Sequence, residues 1–308
     1  MKPDEWWKNF SIGVELDVAG AFIFNGIKEL DSIENLNQEV DVFEVLYNLS
    51  VGIERLLKVS VILIEHNDSV DIEYFEKSLI THSSSALITR VESYRSMNLS
   101  GVHNKLISML DKFYKTHRYG RYSLSSIPSN IDAGKQIFLK FVSENLDITI
   151  DYYDESAFIE NTDQIKKFVG KTVKKISKEL FSIIQKKAHE LNIYTDELRG
   201  DSKAIWVFYG ERLDFIDENM AKRELILFLM NPKSQGGHIN LLRSFDCLDL
   251  NPVFASSHIK ALLNDRHLPY VMDELEEVYT EIENIRERFG MLGVIDNEYL
   301  SYGDEIEI

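Results

Sequence analysis

Residues 42–64 constrain the fold of this chain more than any other segment. Val42, Val45, Leu46, Leu49, Ile53, Leu56, Leu57, Val61 and Ile64 recur mostly at helical spacing and cover most of a helix circumference. A helix that is apolar on nearly every side must be enclosed, by lipid or by other helices. Glu44, Glu54, Arg55 and Lys58 fall inside the segment, which is too many charges for a lipid-facing span. The pattern therefore predicts a central core helix. It should open at an N-cap on Asp41, with Glu44 as capping-box partner, and run to about residue 65.

The elements around it read as helical too. Glycine (15) and proline (5) are too scarce for the many tight turns of an all-β fold, and 44% apolar residues suffice for a sizeable core. Helical patterns cover about 12–31, 72–96 and 99–118, and a further helix starts near Asp132 and ends near Glu144. The polar, weakly periodic stretch 147–162 marks a domain boundary. Beyond it, 164–198 reads as one long helix with its stripe on Ile165, Val169, Val173, Ile176, Leu180 and Ile184. Residues 202–209 suit a short strand or a buried helix, and helices follow at about 214–230, 256–264 and 270–289. Val271, Leu275, Val278, Ile282, Ile285 and Phe289 form a heptad-like seam in the last of these, too short for an extended coiled coil. The expected architecture is all-α: an antiparallel helical bundle over 1–148, then a second helical domain over 149–308.

Several chemistries are excluded by what is missing. A single cysteine, Cys247, rules out an internal disulfide and any CxxC-based zinc or redox site, which suits a reducing cytoplasm. The N-terminal stretch lacks the basic-then-apolar layout of a signal peptide, so no membrane partner is expected. His258 and His267 have no further ligand at metal spacing, and neither metal nor cofactor is expected. Gly170-Lys171-Thr172 resembles the end of a phosphate-binding loop, but Ile165 occupies the upstream glycine position and no strand precedes it. Gly236-Gly237-His238 reads as a flexible loop. A net charge of −17 argues against a surface that grips nucleic acid throughout, while leaving room for a local basic site.

Such a site is found at 112–122, KFYKTHRYGRY. Lys112, Lys115, Arg118 and Arg121 are cationic, His117 is titratable, and Phe113, Tyr114, Tyr119 and Tyr122 are aromatic; no acid follows until Asp132. Cations bind phosphate while tyrosine faces stack on bases, so the interleaving suits single-stranded RNA or a nucleotide. A basic helix terminus with packed tyrosines would show the same letters. Eight lysines between 166 and 187 offer a second positive stripe, read either as a nucleic-acid track or as a solvated face opposing the acidic C-terminal helix. Glu54 and Arg55 could be a polar site element or a buried ion pair.

The order of three elements carries a resemblance. Glu54-Arg55-Leu56-Leu57-Lys58-Val59-Ser60 is followed by Thr81-His82, then by Tyr114-Lys115-Thr116-His117-Arg118-Tyr119. Over about residues 10–146 the chain resembles HEPN domains, which carry an "ExxLKAxL" helix, a histidine opening the next helix and a "YxxARY" element. The resemblance implies an antiparallel bundle that often dimerises, and in catalytic members a metal-independent endoribonuclease of toxin–antitoxin or anti-phage systems. Their usual Arg-x4–6-His signature is missing here; Arg95 and His103 come nearest, with seven residues between. Catalysis would then rest on a reshaped site using His117 with Arg118 or Arg121, assisted in binding by Lys112, Tyr114, Lys115, Tyr119, Tyr122 and His82. The rival expectation is a non-catalytic interaction or regulatory subunit whose 112–122 cluster docks an acidic partner protein.

Overall fold

A computed structural model describes residues 6–67, 70–117, 133–148, 158–193, 202–264 and 269–295. Among these the fold is all-α, with a single isolated bridge, Asn35 to Glu160, as its only extended pairing. The chain divides into two compact units, Met1–Phe215 and Ile216–Ile308. The expected boundary at 148/149 is thus displaced to 215/216.

Two helices build the centre of the first unit: α1 (Ile12–Ser32, entered through a π-helical turn at Trp7–Ser11) and α2 (Glu39–Glu65). Trp7 lies beside His66, Glu15 pairs with Arg55, and a Cβ on Gly52 would sit 2.6 Å from Ile23 and 3.0 Å from the Ala19 carbonyl. One register rises as the other falls, so the pair is an antiparallel hairpin, and Gly52 permits its close approach. Helix α2 is buried on most sides, as its sequence requires, but it starts at Glu39 with Gln38 as N-cap, leaving Asp41 in the first turn. The segment Trp7–Ser32 is itself long and apolar enough to cross a membrane by length and composition, with mean hydropathy 1.4. In this structure its Leu16, Ala19, Ile23, Ile27 and Leu30 belong to the protein core.

Around the hairpin lie α3 (Ile72–Leu79), α4 (Ser84–Tyr94), α5 (Gly101–Lys112, continued by a π-helical turn at Phe113–His117) and α6 (Ala133–Leu146). The single helix expected over 72–96 is broken at 80–83, where the Ser83 hydroxyl accepts from the Ala86 N–H at 3.3 Å and starts α4 afresh. Helix α7 (Asp163–Glu190) is capped by Thr162 and packs on α2, α5 and α6, and α8 (Lys203–Tyr209) settles the strand-or-helix alternative as a helix.

The units divide later than the sequence suggests because residues 158–162, just ahead of α7, bond to the end of the first hairpin. Asn161 donates its side-chain amide to the Leu30 and Ile33 carbonyls at 2.6 and 2.9 Å, and its N–H bonds Glu34. Helix α7 then buries its apolar stripe in the same core as α2. The Lys174 ammonium donates to the Val207 and Phe208 carbonyls at the end of α8. Gly170 serves packing rather than phosphate: a Cβ there would lie 1.9 Å from the Leu213 carbonyl oxygen.

The second unit contains α9 (Ile216–Met230), α10 (Gly237–Ser244), a 3-10 turn at Pro252–Phe254, α11 (Ala255–Asn264), α12 (Pro269–Tyr279) and α13 (Ile285–Leu292). Helix α10 begins at Gly237, within the Gly236-Gly237-His238 segment that reads from sequence as a loop. The helix expected over 270–289 ends at Tyr279, and Asn284 caps a new one by accepting from the Glu287 N–H at 3.3 Å. Glu277 and Glu281, four apart, would repel each other across that interruption if the helix continued. Val271 is the only buried side chain among this unit's described residues.

Candidate functional site

The polar turn of α2 decides where chemistry can occur. Glu54 is only 7% exposed, and an isolated carboxylate would be costly there. Two partners answer it: the Lys58 ammonium stands 2.6 Å from Oε1, one helical turn on, and His82 Nδ1 lies 3.2 Å from Oε2. Arg55 points to α1, where it pairs with Glu15, and its guanidinium stands 5.7 Å from the centre of the Phe22 ring.

His82 reaches Glu54 because the chain is not helical at 80–83. The break is held from the other side by Asp111 of α5, whose carboxylate accepts from the Ser84 N–H at 2.8 Å and the Ser85 hydroxyl at 3.1 Å. Lys115 closes this network, 2.8 Å from Asp111 and 2.7 Å from the Ser83 hydroxyl. The π-helical turn brings Tyr114 between two other rings, 5.1 Å from His82 and 6.1 Å from Tyr47. Local irregularities of this kind commonly re-aim side chains at functional positions.

These residues surround a cavity of about 410 Å³, lined by Trp7, Glu54, Arg55, Lys58, His82 and Tyr114 among others. The His82 side chain is 59% exposed although its partner is buried. With Nδ1 engaged by a carboxylate, the ring is oriented and Nε2 is left as the nitrogen able to exchange a proton with a ligand. Lys58 and Arg55 bring cations to the same cavity, each paired with a carboxylate that also lines it, Glu54 and Glu15 respectively, and Trp7 and Tyr114 give it apolar wall.

The 112–122 cluster is not one surface over its described part. Phe113 is fully buried against Phe43, and Tyr114 is largely buried rather than offered as an open stacking face. Lys115 is tied to Asp111 and Ser83, which lessens its availability to phosphate. Lys112 lines a different groove between α5 and α6, about 440 Å³, with Lys105, Lys140, Phe141 and Glu144. His117 closes the π-helical turn, and Arg118, Tyr119, Arg121 and Tyr122 lie outside the described residues. Of the expected binding residues, then, His82 and Tyr114 meet in one cavity while Lys112 and Lys115 do not join them. Sequence reasoning had marked Glu54 and Arg55 as charges on an apolar helix. Lys58, in the same motif, joins them in the cavity, and so does Trp7, for which the sequence offers no signal, since a tryptophan near a chain start carries none locally.

The lysines of α7 are divided similarly. Lys166 pairs with Asp31, Lys175 with Glu179 and Lys187 with Glu190, so the acids that answer them belong to the first unit. Burial, aided by nearby Lys178, pushes the Lys174 ammonium down to about 8. Lys167, Lys171, Lys178 and Lys186 face outward. Among the described residues no group of three or more His, Cys, Asp or Glu side chains could hold a metal ion.

No family model matches this chain, and neither a curated protein nor a solved structure is similar to it.

Proposed function

We propose that the Glu54–His82 cavity is the active site of a HEPN-like, metal-independent endoribonuclease acting on RNA in the cytoplasm. The observation that carries the reading is His82, held through Nδ1 by buried Glu54 at 3.2 Å and open to a cavity that also contains Lys58 and Arg55. Neutral His82 takes the proton of a ribose 2′-OH, and the freed oxygen attacks the adjacent phosphorus. Positive charge from Lys58 and Arg55 stabilises the phosphorane. The P–O5′ bond then breaks, giving a 2′,3′-cyclic phosphate, and the departing 5′-oxygen takes a proton. His117 is our candidate for that acid, with Arg118 and Arg121 as further phosphate contacts.

Cleavage of a labelled RNA pool in EDTA tests this, comparing wild type with His82→Ala, Glu54→Gln, His117→Ala and Arg118→Ala. The His82 substitution should lower the rate by roughly 10²–10⁴-fold. Cleavage lost only in the His117 and Arg118 variants would relocate the site to 112–122. A folded wild-type protein that cleaves nothing would sink the enzyme reading. The rival, a non-catalytic interaction subunit, draws its support from the exposed apolar surface of the second unit, and it predicts RNA or protein binding without turnover.

A further inference from the structure

The connection that carries His82 is fixed from a distant helix. Residues 80–83 join α3 to α4, with Ile80 largely exposed and no buried side chain among the four. Hydrogen bonds hold them instead. On the α3 side, the Arg90 guanidinium donates to the Ser78 carbonyl at 3.3 Å. It also grips Glu65, at the end of α2, through Nε and Nη2 at 2.9 and 2.6 Å. On the α4 side, the end of α5 and its π-helical turn supply Asp111, Tyr114 and Lys115, at i, i+3, i+4 spacing. Asp111 accepts from the Ser84 N–H at 2.8 Å, Lys115 donates to the Ser83 hydroxyl at 2.7 Å, and the Tyr114 ring lies 5.1 Å from the imidazole. The Asp111 side chain is 12% exposed and is not part of the cavity wall. From across the fold it does what a cap residue does locally, placing a carboxylate at the N-terminus of α4 and accepting its first N–H.

We propose that Asp111 is a positioning residue for His82: by docking the start of α4 it sets Nδ1 against Glu54 and so selects the imidazole tautomer. Nδ1 lies 3.2 Å from Glu54 Oε2, and a carboxylate only accepts hydrogen bonds. Neutral His82 in this contact therefore carries its proton on Nδ1, and Nε2 is the bare nitrogen. A free histidine side chain in water prefers the opposite form, with the proton on Nε2. Released from Glu54, His82 would revert to that form and offer the cavity a donor where a base is needed. Asp111 acts through backbone: its carboxylate holds the Ser84 N–H, two residues beyond His82, and its partner Lys115 holds the Ser83 hydroxyl between them. The tautomer follows from these hydrogen bonds alone; its consequence for rate rests on the ribonuclease reading above.

The test is nitrogen-15 NMR of the histidine side chains in the full chain at about pH 8.5, where imidazoles are normally neutral. His82→Gln assigns the His82 signals. Wild type should show the Nδ1–H form. Asp111→Ala should move His82 towards the Nε2–H form. Asp111→Asn, which keeps an acceptor for the Ser84 N–H, should restore the wild-type pattern. Lys115→Met, at a side chain more exposed than Asp111 and so safer for the fold, should shift His82 the same way and by less. In RNA cleavage, Asp111→Ala should lower kcat roughly 100-fold with KM little changed, and Asp111→Asn should recover most of the loss. An Nε2–H form in wild type overturns the proposal. So does the wild-type form persisting in whichever of Asp111→Ala and Lys115→Met fold. A tautomer that follows Asp111 in a protein that cleaves no RNA upholds the proposal and sinks only the ribonuclease reading.

Discussion

The two units use similar helices in opposite ways. In the first, α2 carries sixteen buried residues, and its buried polar groups are hydrogen-bonded, Ser60 to the Leu56 carbonyl within the helix, Ser50 to the Leu110 carbonyl, and Glu54 to Lys58 and His82. In the second, α9 buries none, and Val271 alone is buried among the described residues of that unit. A fully buried leucine or phenylalanine is worth about 1.5–3 kcal/mol relative to exposure, against a comparable entropic cost for every ordered residue. The first unit has an extensive core to set against that cost, and the second has almost none of its own. What ties the second unit together is largely polar: His258 Nε2 lies 2.6 Å from Glu274 Oε2, and the Asn251 N–H donates to Oε1 at 2.6 Å. The Asn251 N–H, then His258, hold the Glu274 carboxyl below the usual carboxylate range. Composition does not separate the units; whether an apolar face finds a partner does.

The sharpest way to break this comparison is to express residues 1–215 and 216–308 separately. The first fragment should unfold cooperatively in urea, and the second, kept dilute, should show no cooperative transition. Cooperative unfolding of a dilute second fragment would refute the contrast. Within the full chain, Leu46→Ala on α2 should cost about 2–5 kcal/mol by leaving a cavity. Leu227→Ala on α9 should change the stability of the dilute chain by less than about 0.5 kcal/mol. Chemical denaturation reads both, and equal losses would mean that α9 is covered. Gly170→Ala, which pushes a methyl into the Leu213 carbonyl, should destabilise the first unit by roughly 1–3 kcal/mol and leave the far-UV spectrum of the second unchanged.

The smallest effect concerns pH. His103 Nδ1 accepts from the Ser100 N–H at 3.0 Å in the capping box of α5. Desolvation, and then the nearby positive charge of Lys175, lower the pKa of its imidazole. The folded chain therefore binds fewer protons than the unfolded one between that depressed value and the ordinary 6.5 or so. Stability from this cap should be complete above the ordinary value and should be lost as pH falls through the folded one. Urea midpoints for wild type and His103→Ala should converge as pH falls through that window. Parallel curves would count against the cap as the source.

Much of the fold could be read from the letters. The stripe of α7 and the enclosed character of α2 follow from apolar spacing, and α6 starts within one residue of its expected position. The candidate site was legible only in fragments. His82, Glu54 and Tyr114 each drew notice, but for separate reasons. Lys112, Tyr114 and Lys115 looked like one cluster because they are adjacent in sequence, yet they face a groove, the core and an aspartate respectively. A run of letters cannot show this, since neighbours on a helix point about 100° apart.

Local pattern, then, determined that the chain is helical and roughly where its helices lie, because helical periodicity and end caps are encoded within a few residues. The tertiary structure decided the rest. It placed His82 against Glu54, 28 residues earlier in the chain, drew 158–193 back into the first unit through Asn161 and α7, and left α9 uncovered. Each of these depends on which faces meet across long stretches of chain, and a single sequence specifies the faces without naming their partners.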